Sequence, residues 1–198
     1  MPKGQKKAKP ATEILRDLGI FRTGDAIAAG VSQPTLSRLA AAGTITRLEY
    51  GLYSHPAADL DLSELDFAIA CARLGEQSVI GGLTALFRHG LTPQVPDRIW
   101  VMVPPSVRST RKLYRILRTA NDPTVGVEDH RTYRIAGIER SVVEVLQYAT
   151  KIGLQTAISA TRRAIAEGLT TEKKLYAMAK KLDAENAFTK HWETIVVE

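Results

Sequence analysis

The sequence predicts an α+β protein in two parts: a small N-terminal domain of helices closed by a β-hairpin, and a mixed α/β domain with a small sheet and a helical C-terminal tail. Three observations predict it. Between residues 11 and 54, capped apolar stripes at helical spacing are cut by glycines and give way to a short β-favouring pair. Between 98 and 135, apolar and polar residues alternate between proline and turn signals. From Glu139 onward, helical spacing returns through four segments. A length of 198 residues suits one or two ordinary domains.

Composition narrows the function classes. With 44% hydrophobic and 24% charged residues, the chain is not a mostly disordered protein. No apolar run approaches the roughly 18 residues of a membrane span. The N-terminal MPKGQKKAKP is basic, but no apolar stretch follows it as a secretory signal requires, so a cytoplasmic location is expected. Cys71 is the single cysteine, which excludes an intrachain disulfide and a Cys-rich zinc site. It lies in DFAIACARL, the setting of a small buried hydrophobe. His55, His89, His130 and His191 each stand more than four residues from any other His or Cys. Neither a metal nor a cofactor is expected.

The net charge of +6 is unevenly spread. Residues 1–9 hold Lys3, Lys6, Lys7 and Lys9 with no acid, a basic arm or equally a solubilising terminus. Residues 10–56 balance Arg16, Arg22, Arg38 and Arg47 against Glu13, Asp17, Asp25 and Glu49. A second concentration, Arg108, Arg111, Lys112, Arg115 and Arg118, again contains no acid. It reads as a secondary basic patch or as an ordinary solvated face.

In chain order, ATEILRDLGI is a first helix, with Thr12 as its expected cap and Gly19 as its end. Thr23 is the expected cap of a short helix through Ala29, and Gly30 suits the left-handed turn after it. Ser32 caps the next helix. Val31 and Leu36 are spaced as a hydrophobic staple. Leu36, Leu39 and Ala40 form the buried stripe, which turns Pro34, Ser37, Arg38 and Ala41 outward. Gly43 closes that helix. Residues 44–48 and 52–54 pair as strands around a tip at Glu49-Tyr50-Gly51.

Two helices joined by a glycine turn, then a hairpin, form the pattern of a winged helix-turn-helix. In that arrangement the second helix enters the major groove N-terminus first. Gln33 can pair with adenine, Arg38 with guanine, and the Thr35 methyl can touch a thymine methyl. Ser32 and the helix N-terminus suit a phosphate. Arg47 and Tyr50 stand on the hairpin, while Glu49 at its tip opposes phosphate contact. Each of these residues also has a plain surface or capping role in any fold.

SHPAADLDLSE is the expected hinge, giving an arm at 1–9, a DNA-binding domain at 10–56 and a second domain at 57–198. In the second domain, a helix is expected at 82–89, strands at 98–103, 112–118 and around 125–135, and helices at 141–150, 154–168, 172–183 and 187–196. Gly81-Gly82 lacks the Lys-Ser/Thr of a phosphate loop.

Three segments carry a family resemblance. GIFRTGDAIAAGVSQPTLSRLAAAGTITRLEYGLYSHP resembles the winged-helix domain of the AbiEi antitoxins of type IV toxin–antitoxin (abortive infection) systems. SVIGGLTALFRHGLTPQVPDRIWVMVPP and GIERSVVEVLQYATKIGLQTAISATRRAIAEGL resemble that family's C-terminal domain. The resemblance implies a repressor of its own operon that binds inverted repeats in the promoter. It also implies a nucleotidyltransferase-like toxin as functional partner, with no stable complex required. On this chain the recognition helix becomes Gln33–Ala42, read through Ser32, Gln33, Thr35, Ser37 and Arg38, and the wing becomes Arg47–Tyr53. Glu49 departs from the basic or small residues usual there. The family's C-terminal basic residues would fall within Arg108–Arg118.

Two other readings compete. An enzyme would need a catalytic constellation, and the best acidic cluster is Asp122, Glu128, Asp129 with His130, residues that equally mark a turn and a strand edge. A winged-helix adaptor for protein or RNA would use the same scaffold without antitoxin activity. A monomer in solution that pairs on DNA is expected, since no long apolar seam is evident.

Overall fold

Leu15 and Leu36 anchor two of the helices that build the N-terminal unit, and both are fully buried. The computed structural model describes residues 9–196. The chain divides into two compact units, Met1–Arg73 and Leu74–Glu198. The division falls later than the 56/57 boundary read from the sequence. Lys3, Lys6 and Lys7 of the basic arm lie outside the described residues.

The first unit opens with α1 (Ala11–Leu18), β1 (Ile20–Arg22), α2 (Thr23–Ala28) and α3 (Gln33–Ala41). It continues with β2 (Thr46–Glu49), β3 (Leu52–Ser54), two 3-10 turns and α4 (Leu65–Leu74), near whose end the division falls. Two expected caps move. Pro10, not Thr12, is the N-cap of α1, and its carbonyl accepts from the amides of Glu13 and Ile14. Arg22, not Thr23, precedes α2: the Asp25 carboxylate accepts from the Arg22 amide at 2.8 Å and from its guanidinium at 3.0 Å. That bonding holds the Asp25 carboxyl below its usual range.

Gly30, at φ +92, lets the chain reverse after α2, and the Val31 amide donates back to Ala26 O. Val31, Leu36, Leu39 and Ile45 then join Leu15, Phe21 and Ala26 in one core. Three strands cover it in the order β1-β3-β2, all antiparallel. Phe21 on β1 stacks on Tyr53 of β3.

The second unit begins with β4 (Val79–Ile80), α5 (Gly82–Arg88), β5 (Ile99–Val103), β6 (Tyr114–Arg118), β7 (Val127–His130) and β8 (Tyr133–Ala136). Its sheet runs β6-β5-β4-β8-β7. β5 and β6 are parallel, as are β4 and β8, while β4–β5 and β7–β8 are antiparallel. The single strand expected around 125–135 is therefore a hairpin, turning at Arg131 and Thr132. Gly81 and Gly82 serve packing: a Cβ on Gly82 would meet Trp100 Cε3 at 2.9 Å, and φ there is +51. The buried Thr84 hydroxyl accepts from the Trp100 amide at 2.9 Å and so ties α5 to β5.

Five helices complete the unit: α6 (Ile138–Gln147), α7 (Ala149–Ile152), α8 (Leu154–Ala166), α9 (Glu172–Lys181) and α10 (Glu185–Val196). Thr171 caps α9 as its sequence position predicts, accepting from the Lys174 amide. Val142, Val145, Leu146, Ala160, Leu175 and Phe188 meet in the core of this helical layer. No helix among the described residues is long and apolar enough to cross a membrane.

Candidate nucleic-acid interface

α3 is fixed in rotation by what it buries. Leu36 and Leu39 face the core. Pro34, Ser37, Arg38 and Ala41 are consequently exposed, in agreement with the outward face read from the sequence, and Gln33 is exposed as well. Ser32 has the extended backbone of an N-cap, and its Oγ accepts from the Thr35 amide at 3.4 Å. The two hydroxyls also bond each other, Ser32 Oγ to Thr35 Oγ1 at 2.9 Å. Thr35 is half-buried, and its hydroxyl is engaged by Ser32.

The amides at this terminus are few. Pro34 has none and the Thr35 amide is taken by Ser32, which leaves Gln33 to donate outward. Arg38 forms no ion pair with any described residue. It sits in the last turn of α3, where a cation also complements the helix dipole.

The hairpin tip carries a pairing invisible in the local sequence. Glu49 accepts from Arg73 Nε at 3.2 Å and Nη2 at 3.1 Å, and Arg73 also reaches the Tyr50 carbonyl. The acid that opposed phosphate contact is therefore neutralised within its own unit. Arg47 lies over the Tyr50 ring, 5.2 Å from its centroid, and both are exposed, Tyr50 at 86%. They form a cation–π pair at the tip. Lys9, the one described residue of the basic arm, pairs with Asp17 of α1 at 3.0 Å. This bond lowers the Asp17 carboxyl below its usual range.

In the second unit, Arg108, Arg111, Lys112, Arg115 and Arg118 are all exposed. Arg115 and Arg118 belong to β6, an edge strand of the sheet. Arg108 donates to the Pro105 and Val107 carbonyls, and Arg118 Nε donates to Val107 at 3.3 Å, so both hold one loop. Arg115 lies over the Trp100 ring at 5.5 Å. Three of the five basic residues are thus held by backbone carbonyls or an aromatic ring.

Each of the acids considered for catalysis has a partner among the described residues. Asp122 closes a turn by accepting from the Thr124 amide and hydroxyl, which lowers its carboxyl below the usual range. Asp129 pairs with Arg134 at 3.2 Å, and Glu128 faces His130 at 3.6 Å along the edge strand β7. No group of three or more metal-binding side chains occurs among the described residues. Cys71 is buried.

Sequence reasoning passed over one charged pair. Arg140 and Glu144, one turn apart on α6, are buried and bonded at 3.1 Å. Their i, i+4 spacing inside the apolar IERSVVEVL was the available signal.

Residues 9–54 match the family described as "Transcriptional regulator, AbiEi antitoxin". The fold is similar to the crystal structure of the RV2827C protein from Mycobacterium tuberculosis. The two share 14% identity with a TM-score of 0.50, over 95% of this chain and 80% of that one. That likeness is one of fold. No curated protein sequence matches the chain.

Proposed function

We propose that this chain, which residues 9–54 join to the AbiEi antitoxin family of transcriptional regulators, is a DNA-binding antitoxin built on a winged helix-turn-helix. The observation that carries the reading is the outer face of α3. It is small and polar, with an exposed Arg38 free of ion pairs among the described residues, and it is followed by a hairpin whose exposed tip is an Arg47–Tyr50 pair. In this reading α3 is the recognition helix and β2–β3 the wing.

Gln33 and Arg38 read base edges in the major groove, and the Thr35 methyl meets a thymine methyl. Ser32, Ser37 and the Gln33 amide position the phosphate backbone. Arg47 and Tyr50 contact the backbone or the adjacent minor groove, a role that Arg73 permits by neutralising Glu49. The target is an inverted repeat in the chain's own promoter, bound by two copies that are monomers in solution. Because residues 10–56 carry no net charge, the arm at 1–9 and the row Arg108–Arg118 supply the counterion-releasing contacts. The C-terminal unit opposes a nucleotidyltransferase-like toxin in the cytoplasm, without a stable complex.

A gel shift of the full chain on its own upstream DNA, with scrambled competitor, tests the regulator. Co-expression with the neighbouring toxin tests the antitoxin. A specific shift and restored growth are expected. Binding confined to RNA or to a protein would overturn the reading in favour of an adaptor.

A further inference from the structure

Two surface features that the proposed DNA-binding role leaves unused match each other. The first lies on α9. Lys173, Lys174, Lys180 and Lys181 are exposed, and so is Ala177. On a helix, the surface neighbours of a residue stand three and four positions away on either side. For Ala177 all four of those neighbours are these lysines. Leu175 and Ala179 hold the opposite side of α9 in the core, so the lysine ring faces solvent. No ion pair holds any of the four among the described residues, and Lys180 lies over the Tyr176 ring at 4.9 Å. Lysine stems are apolar and carry their charge at the tip. Around the small Ala177 they frame an apolar floor with a cationic rim.

The second feature is the segment leading into α4. Residues 56–72 hold Asp59, Asp61, Glu64 and Asp66 and no Lys or Arg. Among these acids Leu62 is 80% exposed. Asp61 fixes the turn that presents it: its Oδ1 accepts from the Ser63 amide at 2.8 Å and hydroxyl at 2.7 Å and caps the 3-10 turn Leu62–Glu64. One exposed leucine is ordinary. A leucine among four acids and an alanine ringed by four lysines are complementary in both size and charge.

We propose that the exposed face of α9 is a docking surface for a second copy of this chain, whose Leu62 seats on Ala177 while its acids meet the lysine rim. An apolar centre enclosed by a charged rim is the common anatomy of a specific contact. The patch is small, so the contact is weak: the chain is a monomer when dilute and associates as copies are concentrated. Nucleic acid laid on α9 would engage the lysines but leave Leu62 and its acids without a role. Where two copies bind one inverted repeat, as proposed above, this contact joins them. The association itself does not depend on that reading.

Sedimentation equilibrium of the full chain without DNA, from micromolar to submillimolar concentration, tests it. The weight-average mass should rise with concentration, and less so at high salt. Leu62→Ala should weaken the association roughly tenfold while leaving the melting temperature unchanged, since the side chain is exposed. Lys173→Glu with Lys180→Glu, and separately Asp59→Lys with Asp66→Lys, should each abolish it, with melting curves to confirm the fold. Mixing these two charge-reversed proteins restores opposite charges across the contact, so association should return in the mixture. A mass that stays at one copy throughout, indifference to Leu62→Ala, or no association in the mixture overturns the proposal. Lost DNA affinity with intact self-association in the Lys173→Glu, Lys180→Glu variant also overturns it and assigns α9 to DNA. Failure of self-association leaves promoter binding by α3 untouched.

Discussion

Replacing Glu144 by Gln should remove a large pH dependence from the second unit. Burial pushes the Glu144 carboxyl up from 4.5 to about 7, against the pull of the Arg140 guanidinium and the Asn121 amide. The folded state therefore holds this proton more tightly than the unfolded chain. Between the two values the folded form carries more protons, so stability is greatest below about 4.5 and falls as pH rises to about 7. At about 1.4 kcal/mol per pH unit, the loss between about pH 5 and about pH 8 is on the order of 2–3 kcal/mol. Glu144→Gln does not titrate, and its amide oxygen can still accept from Arg140 Nε. Relative to wild type, the variant should gain that amount across the same window. Both tryptophans, Trp100 and Trp192, lie in the second unit, so urea denaturation followed by tryptophan fluorescence reports on it selectively. Identical pH dependences for the two proteins would refute the reasoning.

Other expectations concern the interface and its supports. Arg73→Ala should destabilise the first unit by about 1 kcal/mol, since the pair it breaks is partly exposed. It should also weaken promoter binding for all sequences alike by leaving Glu49 unneutralised; anisotropy titrations on operator and scrambled DNA check this. Gly82→Ala should cost on the order of 1–3 kcal/mol in thermal melts, because φ is +51 and the new methyl meets Trp100. Deleting residues 1–9 should flatten the dependence of DNA affinity on salt and weaken all sequences together, whereas a change in sequence preference alone would make the arm a groove reader.

The parts of the fold legible in the sequence are those coded by neighbours in the chain. Val31, Ser32, Leu36 and Leu39 specify α3, its cap and its rotation within nine residues. Gly30 and Gly43, both at positive φ, mark the turns on either side. Elements that depend on distant partners were not legible. β1 and β4 have three and two residues, too few to show alternation, and exist because β3, β5 and β8 pair with them. The N-cap of α2 moved to Arg22 because its guanidinium grips Asp25. At the interface, the outward residues of α3 followed from periodicity, but the silencing of Glu49 required Arg73, 24 residues away. The bonds from Arg140 to the Asp122 and Val125 carbonyls likewise emerge only in the folded chain.

The central claim is that α3 reads a specific operator. It is tested most directly by measuring wild type and Arg38→Ala on the chain's own promoter and on variants with each base pair of the bound repeat changed. A melting curve alongside separates any loss of helix-dipole stabilisation. The account predicts a site-specific wild-type complex, a loss of roughly 1–3 kcal/mol on Arg38→Ala, and relaxed discrimination at one base position. Unchanged operator affinity and unchanged discrimination in the folded variant would contradict it.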